Sequence, residues 1–158
     1  MKKLLFLLLL LSLGACGFHL RGTAQLPFDT LYVSGGGTLL GSDLARYLSA
    51  ASNVKVVQTP EEAEATLQVL GEVREKRILS LTTSGRVGEY DLYYRLAFRV
   101  QDAKGVVLIP PQQIELKRNI TFNDSLALAK EQEEVLLYRD MQNDAVQQAI
   151  RRLSTLKK

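Results

Sequence analysis

The chain has few of the side chains that build disulfides, thiol chemistry or transition-metal centres. It contains a single cysteine, Cys16, and a single histidine, His19. One cysteine cannot form a disulfide within the chain, and one histidine without further cysteine or histidine partners does not supply a zinc-type ligand set. We therefore expect no disulfide, no bound metal and no cofactor.

Recognisable catalytic patterns are missing as well. The chain contains no G-x-S-x-G, Walker A or H-E-x-x-H spacing, and the glycine run at 35–37 lacks the G-x-G-x-x-G spacing of a dinucleotide site. Acidic runs at 61–64 and 131–134 have no serine or lysine partner at a catalytic spacing. These absences predict a protein that is not an enzyme. A periplasmic hydrolase is the weakest alternative, because it requires a cleft carboxylate with a perturbed pKa.

The N-terminus, in contrast, combines four features of a bacterial lipoprotein signal. Lys2 and Lys3 precede an apolar run at 4–11 that is too short to cross a bilayer as a helix, and small residues then lead to Cys16. This order resembles a lipobox, which implies a signal peptide over 1–15, cleavage before Cys16 and lipidation of its thiol. An ordinary secretory signal with an incidental cysteine is the alternative.

Processing at Cys16 would change the net charge and attach the chain to a membrane. Loss of Lys2 and Lys3 leaves 18 basic and 17 acidic residues, a net charge of +1 instead of +3, so charge gives no argument for a nucleic-acid partner. Several acyl chains together make a stable anchor. Gly17 follows the cysteine, which resembles outer-membrane lipoproteins that face the periplasm. We expect a lipidated tether over 16–29 and a single domain over 30–158.

Hydrophobic periodicity predicts the strands of that domain. The clearest signal lies at 90–100, where every second residue is large and apolar and the intervening face is polar, as in a half-buried antiparallel strand. Other strand patterns occur at 30–34, 54–57, 65–73, 106–109 and 114–122, with a hairpin loop at 102–105. Pro110 and Pro111 indicate a sheet edge or a bulge, because proline cannot donate to a β-ladder. The segment 78–88 is expected to be a long connection.

Two segments, at 39–52 and 126–153, have the apolar spacing of helices. The predicted apolar face of the second consists of Val135, Tyr138, Ala145, Val146, Ala149 and Leu153. The segment 123–125 offers capping groups at its start. The order of elements predicts an α+β two-layer sandwich, with two helices packed on one face of a mostly antiparallel sheet of four to five strands.

Some apolar residues fall outside these patterns. Leu136, Leu137 and Met141 lie off the main face of the second helix, and the segment 78–81 is apolar within the predicted connection. These residues either pack at the flank of the core or stay exposed and meet a partner.

Short motifs along the chain carry a family resemblance. The segment at 16–22 reads Cys-Gly-Phe-His-Leu-Arg-Gly, Gly88-Glu89-Tyr90 opens the best strand, the segment 126–131 reads Leu-Ala-Leu-Ala-Lys-Glu, and the last helix ends in Gln-Ala-Ile-Arg-Arg-Leu at 148–153. Together and in this order they resemble the LptE family of lipopolysaccharide (LPS) assembly lipoproteins. The resemblance implies a small α/β sandwich that plugs the LPS-export β-barrel LptD, helps to assemble it and contacts LPS.

The resemblance also implies two LPS-contacting positions. Lys130 falls in the segment where the family places such a lysine. The family's other basic contact, in the loop before Glu89, matches Thr83 here, so we expect Arg86 to substitute from the same loop. His19, close to Cys16, is expected to pack on the barrel or on lipid headgroups.

The LPS contact that the resemblance implies requires basic side chains for phosphates and acidic sugars. Arg95 and Arg99 share the polar face of the best strand, and Lys117 lies on the following strand. Arg74, Lys76 and Arg77, together with Arg86, flank the predicted connection. Each cation could instead be a solvated charge that balances Glu72, Glu75, Asp91 or Glu115. The alternative function is a free periplasm-facing lipoprotein that binds peptidoglycan or another envelope polymer.

Overall fold

The structure is a computed structural model that describes residues 26–35 and 37–156. It has an α+β fold in which two helices cover one face of a five-stranded sheet. In chain order the elements are β1 (Thr30–Ser34), α1 (Gly37–Ala51), β2 (Lys55–Val57), a 3₁₀ turn (Pro60–Glu62), β3 (Ala65–Leu81), β4 (Val87–Asp102), β5 (Val107–Thr121), a second 3₁₀ turn (Asp124–Leu126) and α2 (Ala127–Leu153). The predicted fold class is confirmed.

The sheet combines a short parallel part with a long antiparallel part. The strand order is β2-β1-β3-β4-β5, in which β1 is parallel to both β2 and β3, while the β3–β4 and β4–β5 pairs are antiparallel. Strand β1 pairs with β3 only from Ala65 to Gln68, so the rest of β3 runs on beside β4 alone. At about 3.3 Å per residue, β3 is about 55 Å long.

The core lies between the helices and the inward-facing side chains of the sheet. Along β4 the alternate residues Leu92, Tyr94, Leu96, Phe98 and Val100 are all buried, as the period-two pattern predicts. They pack with Leu40, Leu44 and Leu48 of α1 and with Val146, Ala149 and Leu153 of α2. Burial of this apolar surface is the main term that stabilises the fold.

Helix α2 follows its predicted apolar face with one exception. Tyr138, Ala145, Val146, Ala149 and Leu153 are buried, but Val135 is 67 % exposed, so its assignment to the core was wrong. Val135 lies seven residues before Gln142 and therefore on the same side of the helix. Gln142 is buried, and its side-chain amide donates to Asp43 of α1 at 2.8 Å. The hydrogen bonds from α1 reach α2 at Gln142 and Asn143, about 10 Å along the helix axis from Val135.

The apolar residues of α2 that lie off that face were expected either to pack at the flank of the core or to stay exposed, and both outcomes occur. Met141 is fully buried and Leu137 packs against the core, whereas Leu136 remains exposed.

The predicted connection at 78–88 was also wrong. Strand β3 extends to Leu81 and β4 begins at Val87, so only a tight hairpin loop joins them. Register shifts between Ile78 and Leu81 make this end of the ladder irregular. The predicted loop at 102–105 is confirmed by the bond from Gly105 N to Asp102 O at 3.0 Å. Pro110 and Pro111 lie within β5, an edge strand, where the register to β4 shifts, as predicted.

The chain enters the domain at the end of the sheet opposite the β3–β4 hairpin. Leu26 and Phe28, the last apolar residues of the predicted tether, are buried in the core, so packing begins before Thr30. The backbone N–H of Leu26 donates to Oδ1 of Asn53 at 2.8 Å. Asn53 precedes Lys55, which pairs with Thr30 at the start of β1. The entry point and the hairpin are therefore separated by most of the length of β3.

Candidate functional site

The fold brings two of the predicted LPS contacts, Arg86 and Lys130, to one end of the molecule. We call this end the tip; it comprises the β3–β4 hairpin (78–88), the end of β5 with the 3₁₀ turn (120–126) and the first turns of α2 (127–135). Arg86 lies in the hairpin loop and is highly exposed, with Nη1 3.4 Å from Oδ2 of Asp124. The ammonium of Lys130 donates to Oγ1 of Thr121 at 3.1 Å and to Oε2 of Glu133 at 2.8 Å.

Local sequence explains how the start of α2 is held against the hairpin. The backbone N–H of Phe122 donates to the carbonyl of Gly88 at 2.8 Å and extends the sheet by one step. The side chain of Asn123 accepts from the backbone N–H of Ser125 at 3.0 Å and so caps the 3₁₀ turn, whereas the predicted side-chain cap of the long helix is not found, since α2 starts after Leu126 without one. This cap turns the chain from β5 into α2, so that Lys130 lies beside the end of β5.

The tip also exposes large apolar side chains. Ile78 is 60 % exposed and Leu128 71 % exposed, and three further exposed residues lie close by in the chain: Leu79, Leu81 and Leu126. Of the two alternatives for the apolar residues at 78–81, packing or exposure, the structure shows exposure. Basic and apolar groups at the same end form an amphipathic surface.

Sequence reasoning missed an aromatic pair at the base of the tip. The rings of Tyr90 and Phe122 meet edge to face, with centroids 5.4 Å apart and planes at 80°. The ammonium of Lys76 lies 4.2 Å from the Tyr90 centroid and 5.9 Å from that of Phe122. In the sequence, Phe122 is the last residue of one predicted strand and Tyr90 the first residue of another. Their contact could be predicted only from the pairing register of β4 and β5, in which Tyr90 is opposite Ile120.

The other predicted contacts lie on the uncovered face of the sheet, in the middle of the strands. Arg95 donates to Glu115 at 2.5 Å and to Glu75 at 2.8 Å, and Lys117 lies 2.7 Å from a carboxylate oxygen of Asp91. The guanidinium of Arg99 donates to Gln68 at 2.7 Å. These three cations do not join Arg86 and Lys130, and each has a partner within the protein.

Tyr93 is the centre of this network on the uncovered face. The cationic groups of Arg77, Arg95 and Lys117 lie 5.0, 5.3 and 5.5 Å from the centroid of its ring. Hydrogen bonds from Arg77 and then Arg95 lower the pKa of Glu75, and the bond to Asp91 raises the pKa of Lys117. Cations and carboxylates compensate each other here.

A hollow between the carboxyl ends of β1 and β2 and helix α1 offers no catalytic acid. It measures about 410 Å³ and is lined by residues such as Tyr32, Ser42 and Gln58, with no carboxylate among its walls. The described residues also contain no group of three or more histidine, cysteine, aspartate or glutamate side chains that could hold a metal ion.

Comparison with known proteins decides the family. The LptE model, described as lipopolysaccharide-assembly, matches residues 28–153. This chain belongs to the LptE family. The LPS-assembly lipoprotein LptE of Pectobacterium atrosepticum is 30 % identical over 171 residues, covering 99 % of this chain and 88 % of that protein. The LptE of Yersinia enterocolitica is 31 % identical over 167 residues, covering 96 % of this chain and 75 % of that protein.

Solved structures agree with this assignment. A solution structure of an uncharacterized lipoprotein B from Nitrosomonas europaea superimposes with a TM-score of 0.76 at 48 % identity, covering 87 % of this chain and 90 % of that one. The rare lipoprotein B of Shewanella oneidensis has a TM-score of 0.68 at 27 % identity, covering 80 % and 95 % of the two chains.

Membership in the LptE family answers several expectations from the sequence. LptE proteins are non-enzymatic envelope lipoproteins that act in LPS assembly, so the protein is not an enzyme. No helix within 26–35 or 37–156 is long and apolar enough to cross a membrane. Cys16 and His19 lie outside the described residues, so the predicted signal peptide, the lipidation at Cys16 and the environment of His19 stay predictions.

Proposed function

We propose that this LptE-family lipoprotein is anchored through Cys16 at the periplasmic face of the outer membrane. There it plugs the LPS-export barrel LptD, helps the barrel to assemble, and binds LPS during insertion into the outer leaflet. The single observation that carries the LPS part is the amphipathic tip, where Arg86 and Lys130 stand beside exposed apolar side chains.

The composition of the tip fits the chemistry of LPS. LPS presents phosphates and acidic sugars next to acyl chains, and phosphate groups favour arginine and lysine partners through charge-assisted hydrogen bonds. Arg86 is mostly free in solvent, with one long contact to Asp124 at 3.4 Å. Ile78 and Leu128 supply apolar surface at the same end. The basic side chains would compete with the divalent cations that bridge LPS molecules and so release single molecules from aggregates.

The uncovered sheet face supports the plug. The lumen of an outer-membrane barrel is lined by polar side chains. A sheet face of mutually paired charges, centred on Tyr93, can lie against such a wall without burying an uncompensated charge. Three cations on this face are then candidates for contact with either the barrel or LPS: Arg95, Arg99 and Lys117. In such a contact each would replace its partner within the protein by a group of the barrel or of LPS. A folded sandwich of this kind could serve as the template around which barrel strands close.

Charge reversal at the tip tests the LPS part of the proposal. Arg86→Glu combined with Lys130→Glu should weaken LPS binding at least about tenfold, which is about 1.4 kcal/mol, without unfolding the domain. A matched control reverses two cations far from the tip, Arg46→Glu on α1 and Lys104→Glu in the β4–β5 loop. Equal LPS affinity in the tip variant and the control would contradict the proposal.

Co-purification tests the barrel part. The mature lipoprotein should be recovered from native membrane extracts in a stoichiometric complex with LptD, and Cys16→Ser should abolish acylation measured by mass spectrometry. The alternative, a free lipoprotein that binds peptidoglycan or another envelope polymer, predicts sedimentation with sacculi in the absence of LptD. A stable monomer that pellets with sacculi would favour that alternative.

A further inference from the structure

We propose that Lys76 and Lys130 form a two-lysine clamp for two phosphate groups of one acylated glycolipid, and that Glu133 and Glu134 are internal anions that the ligand must displace. This inference rests on the proposed LPS binding and deepens it. It adds Lys76 to the binding residues, and it predicts a preference for a doubly phosphorylated ligand over a singly phosphorylated one.

The geometry around Lys76 is the first support. Its ammonium lies 2.5 Å from Oε2 of Glu134, and the two side chains are 33 % and 21 % exposed. The same ammonium stands over the ring of Tyr90 at 4.2 Å. The aromatic face attracts a cation without neutralising it, so Lys76 would keep its position over Tyr90 when its carboxylate partner leaves.

Lys130 likewise pairs with a glutamate of α2. Its side chain is 18 % exposed and pairs with Glu133 at 2.8 Å, while Thr121 of β5 also accepts from it at 3.1 Å. Lys76 belongs to β3, and β3 and β5 are the two neighbours of β4. Lys76 is level with Arg118 of β5, three residues before Thr121, so two strand spacings and three residue steps put the backbones of Lys76 and Thr121 about 14 Å apart. Consecutive glutamates of one helix thus neutralise one lysine each.

A phosphate group can replace these carboxylates. At neutral pH it carries about 1.5 to 2 negative charges and three acceptor oxygens, against one charge and two oxygens for a carboxylate. Both glutamates lie at the surface, so water can solvate them once they are displaced. The exposed Ile78 and Leu128 lie at the same end, where acyl chains of the same ligand can pack.

The clamp predicts effects of opposite sign for its two kinds of member. Removing the lysine charge should weaken binding and abolish the preference for two phosphates, because one phosphate loses its partner. Removing the competing carboxylate should strengthen binding, because Lys76 is then available without displacement. A purely structural Lys76–Glu134 pair would weaken binding in both variants.

The experiment measures binding of diphosphoryl and monophosphoryl lipid A to the detergent-solubilised mature lipoprotein. The variants are Lys76→Met, which keeps the length of the side chain, and Glu134→Gln. Arg118→Met is the matched control, because Arg118 also pairs with an acid of α2, Asp144 at 2.9 Å, and Asp144 lies ten residues, about 15 Å, after Glu134 along the helix. Thermal unfolding checks that each variant is folded.

We expect the unmodified protein to favour diphosphoryl lipid A by about tenfold, Lys76→Met to lose this preference, Glu134→Gln to bind a few-fold more tightly, and Arg118→Met to behave like the unmodified protein. If Lys76→Met does not fold, the sign of the Glu134→Gln effect decides. Retention of the preference in Lys76→Met, or weaker binding by Glu134→Gln, overturns the clamp. Binding of both lipids without a preference also overturns the clamp alone, whereas no binding of either lipid by the unmodified protein refutes the proposed LPS function itself.

Discussion

Gly35 faces the carbonyl oxygen of Val69 so closely that a β-carbon at Gly35 would lie 2.5 Å from that oxygen. Gly35 also has a φ of +79°, which residues other than glycine rarely adopt. It follows β1, while Val69 lies where β3 leaves β1 and its register to β4 shifts. This contact therefore joins the short parallel part of the sheet to the long antiparallel ribbon.

Gly35→Ala should lower the free energy of unfolding by about 2 to 4 kcal/mol, since it combines left-handed strain with a backbone clash. Gly105→Ala is the control, because Gly105 has a φ of +83° but open space around it. The control should cost about 1 kcal/mol. Urea denaturation of both variants measures the difference in free energy of unfolding. An equal loss in the two variants would show that the backbone at Val69 moves to make room for the new β-carbon.

Tyr94→Phe should stabilise the domain by about 1 kcal/mol near neutral pH, because it removes a buried polar atom. Tyr94 is completely buried, and in the described part of the chain its hydroxyl has no hydrogen-bond partner. Tyr93→Phe is the matched control: its hydroxyl lies 3.5 Å from Asp91 on the uncovered face, so no comparable gain is expected. A loss of stability in Tyr94→Phe would show that this hydroxyl has a stabilising partner.

Stability should also fall at alkaline pH, in part because of Tyr94. Burial raises the pKa of Tyr94, and the charge of Glu72 acts in the same direction. Above about pH 10 the unfolded tyrosine ionises while the folded one keeps its proton, so the unfolded state binds fewer protons and stability falls as pH rises. Thermal unfolding from pH 8 to 11 should show a shallower decline for Tyr94→Phe than for the unmodified protein. Parallel declines would contradict this account.

Lys117→Met should lower the melting temperature more than Arg118→Met does. The carboxylate of Asp91 is buried and held by Lys117 and by the side-chain amide of Asn119, both at 2.7 Å. Loss of Lys117 leaves a buried charge with a weaker partner set, whereas Arg118 pairs with the exposed Asp144. Calorimetry of both variants provides the comparison. Adding Asp91→Asn should restore part of the loss in Lys117→Met, and no restoration would argue against this explanation.

Asn123→Ala should cost about 1 kcal/mol of stability and also weaken LPS binding. The side chain of Asn123 caps the turn that leads into α2, and α2 positions Lys130 beside Thr121. Asn123→Asp, which keeps an acceptor at the cap, is the control for the lost hydrogen bond. If affinity for LPS is unchanged while stability falls, the cap does not position the tip.

The sequence predicted those elements whose burial is regular. The alternation from Tyr90 to Val100 marked β4 because one of its faces is covered by helices along most of its length. The same reasoning missed the distal half of β3, because residues 76–79 are all exposed and show no alternation, and the side chains of Arg74 and Lys76 that meet α2 are charged. Val135 was misassigned because it lies on the correct side of α2 but about 10 Å along the axis from the residues that bond to α1.

The residues proposed for the site could be named from the sequence, but their grouping could not. Lys130 and Arg86 came from motifs, yet their proximity depends on how far the β3–β4 hairpin extends, which a strand pattern ending near Val73 could not show. Arg95 and Lys117 were correctly placed on adjacent strands, and their carboxylate partners were among the acids named as alternatives. Lys76 gained its importance only from the ring of Tyr90 and the carboxylate of Glu134, which β-ladder register and helix docking bring to it.

The hydrogen bond from Leu26 N–H to Asn53 marks the first residue that is fixed to the domain. It therefore limits the length of chain between Cys16 and the folded part. With lipid on Cys16, ten residues link the bilayer to the first fixed point of the domain, and they can reach at most about 35 Å. Leu26 lies at the end of the sheet opposite the β3–β4 hairpin, and β3 is about 55 Å long. If Cys16 is lipidated as proposed, the hairpin is the part of the described domain that can lie farthest from the anchoring leaflet. Inserting residues between Cys16 and Leu26 would lengthen that maximum reach without altering any described side chain.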